Sequence, residues 1–139
     1  MPYAWEHLTP AEKAAILRSI ADAGATPPAP RVVELSWQDR CNIDCFFCST
    51  AEIRSGNFEL SRDRLEALFG EMAAFGVRGV RLMGGGEPLF RKDAEPLIRS
   101  LGAHGLRIAD VTTNGVLLTE PVVRALFAAG CDEICVSLN

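Results

Sequence analysis

Short apolar runs at residues 31–37, 77–83, 106–112 and 133–138 alternate with segments whose apolar residues recur at helical spacing, with brief connections between them. This alternation constrains the chain to parallel β/α units, because a parallel neighbour is reached only through a crossover, usually a helix. Three crossover helices are predicted. The first is capped by Ser61, buries Leu65, Leu68, Phe69 and Met72, and stops at Gly76. The second is capped by Asp93, buries Leu97, Ile98 and Leu101, and closes at Gly105. The third is capped by Thr119, has Pro121 in its first turn, buries Val122, Leu126 and Phe127, and ends at Gly130.

Ahead of these units, Thr9 and Pro10 mark a helix start, with Glu12 placed to close a capping box. Ile16, Leu17 and Ile20 give that helix a narrow apolar stripe, and Gly24 with the proline-rich residues 25–30 ends it. Residues 1–30 are expected to be an appended helix and linker, with His7 at the surface, and residues 31–139 the domain proper. A chain of 139 residues that is 48% hydrophobic and 23% charged can bury a real core. Its net charge of -4, with no basic stripe, argues against nucleic-acid binding. No apolar run approaches membrane-spanning length and the first residues do not resemble a leader, so a cytoplasmic protein without membrane attachment is expected. A reducing compartment also suits five cysteines.

In folds of parallel β/α units, doubly wound or barrel, ligands sit at the carboxyl ends of the strands. The chemically unusual residues fall there. Cys41, Cys45 and Cys48 follow the first strand, Gly84, Gly85, Gly86 and Glu87 the second, Asn114 the third, and Ser137 and Asn139 end the fourth. If the fourth strand alternates regularly, Ile134, Val136 and Leu138 face the helices, while Cys135, Ser137 and Asn139 face the other side. Thr112 and Thr113 belong to the same region, and alternation does not decide which of them faces in.

The three thiols of residues 41–48 are expected to converge on one point. Soft thiolates select zinc or iron–sulfur clusters, and either centre normally takes four ligands. No further Cys or His follows until His104, so a fourth local ligand is missing. An open coordination position suits binding of a small molecule. A non-catalytic iron–sulfur electron carrier would supply a fourth cysteine nearby, and a structural zinc module would have no need of glycines after the next strand. A disulfide cluster would leave one thiol over, and inert buried thiols are the remaining alternative. Cys131 and Cys135, four apart along a strand, would stand roughly 13 Å from each other, too far for one metal, and are expected to be small buried residues. The three glycines allow backbone groups to approach a ligand, and Glu87 beside them offers a carboxylate suited to an ammonium group.

From about Arg31 onward the chain resembles the radical S-adenosylmethionine (SAM) superfamily, with Cys41, Cys45, Phe47 and Cys48 in the order of its Cys-x3-Cys-x-aromatic-Cys loop and Gly85-Gly86-Glu87 matching its Gly-Gly-Glu motif. The resemblance implies a partial (β/α) barrel of the TIM type, of which the four units here are the first, preceded by the helical extension. It implies a [4Fe–4S] cluster on Cys41, Cys45 and Cys48, with SAM chelating the fourth iron and split reductively to a 5′-deoxyadenosyl radical that abstracts hydrogen from a peptide or small-molecule substrate. Phe47 would lie near the adenine; Gly85, Gly86 and Glu87 would hold the methionine amino group; Ser137, Asn139 and Asn114 would approach the ribose. An electron donor such as flavodoxin or ferredoxin is implied as partner. The elements that choose the substrate are expected in further units beyond the fourth strand, so the 139 residues read as the first part of that core.

Overall fold

The computed structural model describes residues 9–22 and 29–138. Four strands, β1 (Val32–Leu35), β2 (Gly79–Leu82), β3 (Arg107–Thr113) and β4 (Glu133–Val136), form one sheet in sequential order with every pairing parallel. Helix α1 (Pro10–Asp22) precedes the sheet, and α2 (Arg62–Phe75), α3 (Ala94–Ala103) and α4 (Glu120–Ala128) are the three crossovers. A doubly wound sheet reverses its strand order at a switch point. Sequential order without reversal is the barrel type of winding.

The register shows how the two faces differ. Leu35, Leu82, Val111 and Ile134 stand side by side across the sheet, and the first three are buried with Leu65, Phe69, Leu97, Ile98 and Leu126 of the helices in one core. The neighbouring row is Glu34, Arg81, Asp110 and Glu133, with Arg81 Nε donating to Asp110 Oδ2 at 2.6 Å. The helices therefore cover one face and a charged row marks the other. Regular alternation would put Ile108 and Val111 on opposite faces. A β-bulge between Val80/Arg81 and β3 leaves Ala109 without a partner in β2, so both Ile108 and Val111 reach the core.

The helices follow their sequence signals with some corrections. Ser61 caps α2 through its hydroxyl, which accepts from the Arg64 N–H, and Gly76 ends it at φ 105°, a conformation a side chain would oppose. Asp93 stands at the cap of α3 but makes no side-chain cap bond. Its carboxylate is taken by Arg91, whose guanidinium donates to both oxygens at 2.8 and 3.1 Å and holds the carboxyl below its ordinary pKa. Thr119 makes no side-chain cap bond either, and Pro121 at the second helical position removes one N–H it would have taken. Phe127, expected to be buried, is 67% exposed; α4 turns Ala125 and Leu126 inward and Phe127 lies off that face. The strands are shorter than expected because β1, β2 and β4 leave the ladder within a few residues of the rim. In α1, Ile16 and Leu17 are exposed, so the narrow stripe is largely uncovered. His7, Gly24 and most of the proline-rich linker lie outside the described residues. Among the described residues no helix is long and apolar enough to cross a membrane.

Candidate active site

Beyond β1 the chain makes a closed excursion carrying all three clustered cysteines. Its neck is a short antiparallel pairing of Gln38 with Glu59, with Asp39 N–H donating to Phe58 O at 3.1 Å and Leu60 N–H to Trp37 O at 3.0 Å. Arg91, whose side chain is 1% exposed, fastens this neck from below by donating to the carbonyls of Trp37 and Leu60. Inside the neck, the Asp39 carboxylate gathers the returning strand, accepting from Ser55 N–H at 2.8 Å, Ser55 Oγ at 2.7 Å, Gly56 N–H at 3.1 Å and Phe58 N–H at 3.0 Å. Those donors, the Ser55 hydroxyl foremost, hold the Asp39 carboxyl below its ordinary pKa. Cys45 and Cys48 sit on one turn, with Cys48 N–H donating to Cys45 O at 3.1 Å.

The glycine run is built against this loop. A Cβ on Gly86 would fall 2.2 Å from the Arg40 carbonyl oxygen, and Gly84, at φ 136°, would meet Ser36 at 2.3 Å. These two glycines are required by the close approach of the chain to itself. Gly85 has room for a Cβ, its nearest neighbour lying 3.7 Å away. Its N–H donates to Ser36 Oγ at 3.3 Å and its carbonyl accepts from Thr50 Oγ1 at 3.1 Å. Glu87 N–H donates to Arg40 O at 2.8 Å, and Glu87 O accepts from Gln38 Nε2 at 2.6 Å.

Glu87 is only 4% exposed, and its carboxylate is a junction. One oxygen accepts from Leu89 N–H at 3.1 Å and Thr113 Oγ1 at 2.7 Å, and the other from Asn114 N–H at 2.8 Å. Thr113 is thus the buried threonine of the pair, and Thr112 faces the opening. The Asn114 side chain crosses to the cysteine loop, donating to Asn42 Oδ1 at 2.8 Å and reaching Cys41 Sγ at 3.8 Å. Ser137 lies just past β4, tied by its N–H to Thr113 O at 2.8 Å.

These loops enclose a cleft of about 320 Å³, the size of a small-ligand site. Cys41, Cys45, Cys48 and Phe47 form one wall, Gly84, Gly86 and Glu87 a second, and Thr112, Asn114 and Ser137 a third. Of the residues singled out from sequence, these come together; Gly85 is set just behind the wall, and Asn139 lies outside the described residues. Phe47 is half exposed and packs edge-to-face on Phe46 at 4.7 Å. The thiols do not converge on a point as expected: among the described residues no three Cys, His, Asp or Glu side chains come together around a single ion. They are free and half-buried, and all three line the cleft. The Thr50 hydroxyl lies 3.2 Å from Cys48 Sγ and, with the Thr50 backbone N–H and the charge of Arg54, holds that thiol below its ordinary pKa. Cys131 is partly buried, and desolvation pushes its thiol up; Cys135, expected to be buried, is exposed on the open side opposite Thr112. Asp39, Thr50 and Arg54 were not foreseen, and Thr113, placed in this region from sequence, carries a bond to Glu87 that was not. The Ser55-Gly56-Asn57 turn was the available hint that a carboxylate closes the loop.

Residues 35–139 match the model of the radical SAM superfamily. The chain belongs to that superfamily. Over 113 residues this radical SAM chain is 42% identical to a probable GTP 3′,8-cyclase of Methanosarcina mazei, a match spanning 77% of the chain and 32% of the relative. Over 114 residues it is 35% identical to an AdoMet-dependent heme synthase of Methanosarcina barkeri, spanning 80% of the chain and 32% of the relative. The crystal structure of BtrN in complex with AdoMet and 2-DOIA superposes with a TM-score of 0.65 at 20% identity, over 76% of this chain and 44% of that one, which supports the fold. The chain spans about a third of the length of the curated relatives it matches. Members of the superfamily use a [4Fe–4S] cluster and SAM.

The donor set fits such a group. Zinc–sulfur bonds near 2.3 Å require tetrahedral thiolates roughly 3.8 Å apart around one ion. A cubane takes each thiolate on a different iron, so its ligands stand farther apart on one cavity; Cys41, Cys45 and Cys48 form no single-ion group and all line the same cleft.

Proposed function

We propose that this chain carries the cluster- and SAM-binding part of a radical SAM enzyme, with residues 31–139 as its core and residues 1–30 as an appended helix and linker. The observation that carries the reading is that Cys41, Cys45 and Cys48 open onto one cleft whose facing wall is Gly86 and Glu87. Cys41, Cys45 and Cys48 would hold three irons of a [4Fe–4S] cluster. The chemistry supplied when cluster and SAM are bound is one-electron cleavage of SAM to methionine and a 5′-deoxyadenosyl radical able to take hydrogen from a substrate.

The chain's own residues bind and orient. Glu87 accepts three protein donors, which leaves its second oxygen room for one more, and the ammonium group of SAM is assigned to it. Gly86 lines the cleft beside the same group, and Gly85, set behind it, holds the turn through its bonds to Ser36 and Thr50. Phe47 offers an apolar ring to the adenine, and Ser137 with Thr112 and Asn139 is assigned to the ribose. Asn114 approaches the same region, but both its side-chain donors point to the cysteine loop. The substrate is a small molecule or peptide, and a soluble one-electron donor such as flavodoxin or ferredoxin is the expected partner, in the cytoplasm. Relatives named for GTP cyclisation and for heme synthesis are similar to comparable degrees over this segment, so its similarity does not choose between substrates.

Anaerobic reconstitution tests the reading. About four iron and four sulfide per chain are expected, lost on Cys45→Ala and kept on Cys131→Ala or Cys135→Ala. Equal loss of iron from the last two variants would overturn the ligand set.

A further inference from the structure

We infer that Asn114 is a positioning residue for Cys41, its side-chain amide donating an N–H···S hydrogen bond that orients this sulfur and raises the reduction potential of a cluster bound there. The inference rests on the ligand set proposed above. Asn114 Nδ2 stands 3.8 Å from Cys41 Sγ, a contact length suited to the large sulfur atom. The backbone N–H of Val116 selects the amide's orientation. Asn114 Oδ1 accepts from Val116 N–H at 3.1 Å, while Nδ2 donates to Asn42 Oδ1 at 2.8 Å. A flipped amide would set its NH2 group against the backbone N–H of Val116, and that contact rejects it. One amide hydrogen remains, and Cys41 Sγ is the acceptor it faces.

The donor is also delivered from a rigid place. Asn114 N–H is clamped on the buried Glu87 carboxylate at 2.8 Å, and the preceding Thr113 is buried and bonded to the same group. A loop-borne donor could follow Cys41 as it moved; one fixed at the end of β3 holds the sulfur to a position. Cys48 differs. Its donors are the backbone N–H groups of its own loop and the Thr50 hydroxyl, whose single proton is also sought by the Gly85 carbonyl at 3.1 Å. Hydrogen bonds to cluster sulfurs are among the determinants of cluster potential. Reduction adds negative charge that spreads onto the sulfurs, so a donor stabilises the reduced state more than the oxidised one.

The test is an EPR-monitored redox titration of the anaerobically reconstituted protein without SAM, with iron content measured alongside. Asn114→Leu, which keeps volume and removes the donor, is expected to retain iron and shift the midpoint to a more negative potential. Asn42→Ala, which removes the other acceptor and leaves the sulfur contact, is expected to shift it far less. Wild-type midpoint in an iron-loaded Asn114→Leu protein would overturn the inference while leaving the ligand set standing, as would an equal shift in Asn42→Ala. Should Asn114→Leu fail to hold iron, Asn114→Ala, likewise uncharged and without the amide hydrogens, decides: a more negative midpoint supports the role and an unchanged one refutes it. Failure of the ligand set itself reads out separately, as iron retained in Cys41→Ala.

Discussion

Replacing Glu87 by Gln separates two roles that one carboxylate combines. The side chain is 4% exposed, with Leu89 N–H and the Thr113 hydroxyl on one oxygen and Asn114 N–H on the other. Gln keeps the shape but exchanges an oxygen for an NH2 group, and neither orientation satisfies all three donors. With its oxygen toward Leu89 and Thr113, its NH2 confronts the Asn114 N–H. Reversed, it confronts the Leu89 N–H, and Thr113, which also accepts from Gly115 N–H at 3.1 Å, must turn its hydroxyl. The cheaper arrangement loses a hydrogen bond to a charged acceptor, roughly 1.5–3 kcal/mol, and strands a buried N–H at roughly 1–3 kcal/mol; these overlap, giving about 3 kcal/mol. For a domain of this size that lowers the unfolding midpoint by roughly 10 °C. Thermal unfolding of the cluster-free protein, followed by far-ultraviolet circular dichroism, measures it. A midpoint within about 2 °C of wild type would refute the reasoning, because it would mean the three contacts contribute nothing to the fold. The same variant should weaken SAM binding by about tenfold to a hundredfold if the ammonium group pairs with this carboxylate. Thr113→Val removes one donor but leaves the charge, so it should cost about 1 kcal/mol of stability while changing SAM affinity little. Equal loss of affinity in both variants would mean that Glu87 acts on SAM only through the fold.

Gly86→Ala should prevent stable folding, since its Cβ would overlap the Arg40 backbone, whereas Gly85→Ala should cost under about 1 kcal/mol; similar denaturation midpoints for the two would contradict the packing. Asp39→Ala removes four hydrogen bonds that close the cysteine loop and should reduce reconstituted iron although Asp39 is no ligand, an effect measured as iron per chain. The Asp93 carboxyl is held below its ordinary value by Arg91, so its contribution is fully present above the unfolded-state pKa of about 3.9 and is lost as pH falls through the lower folded value. The stability difference between wild type and Asp93→Asn in urea titrations should therefore shrink from pH 6 toward about pH 2; a difference that grows on acidification would reverse the assignment.

The strand–helix alternation was legible because each crossover announces itself. Leu65, Phe69 and Met72, or Leu97, Ile98 and Leu101, have only one face to bury and one sheet to bury it on. The face of the sheet was less legible. The bulge at Ala109 breaks the alternation, and no local signal at Ile108 or Val111 reveals it. Phe127 misled because its size suggested burial, while helical geometry placed the small Ala125 inward. At the site, spacing alone located the cysteines and the glycine motif, since covalent neighbours carry that information. What spacing could not carry was the set of bonds across 26 to 73 residues of sequence: Thr113 and Asn114 to Glu87, and Asn114 to Cys41. Such partners are ordinary residue types made specific only by the fold.

Small metal-binding loops often have no structure of their own until the metal closes them. This loop is closed by protein. The pairing of Gln38 with Glu59, the Arg91 guanidinium beneath it and the Asp39 carboxylate within it hold both ends together, and none of these groups is a candidate ligand. The cysteines then hang from a tethered frame whose other supports, Thr50 on Gly85 and Asn114 on Asn42, come from the two neighbouring strand ends. A frame of that kind sets the spacing of the thiols before anything binds, which suits an extended cluster more than a single ion that draws its ligands inward. It also links the parts of the cleft mechanically: Glu87 bonds to Arg40 two residues past the neck, to Asn114 beside Cys41 and to Leu89 below, so a displacement at the carboxylate reaches the thiol wall through one or two bonds. The Gly-Gly-Glu segment therefore belongs to the scaffold of the cysteine loop as much as to the surface that faces a ligand.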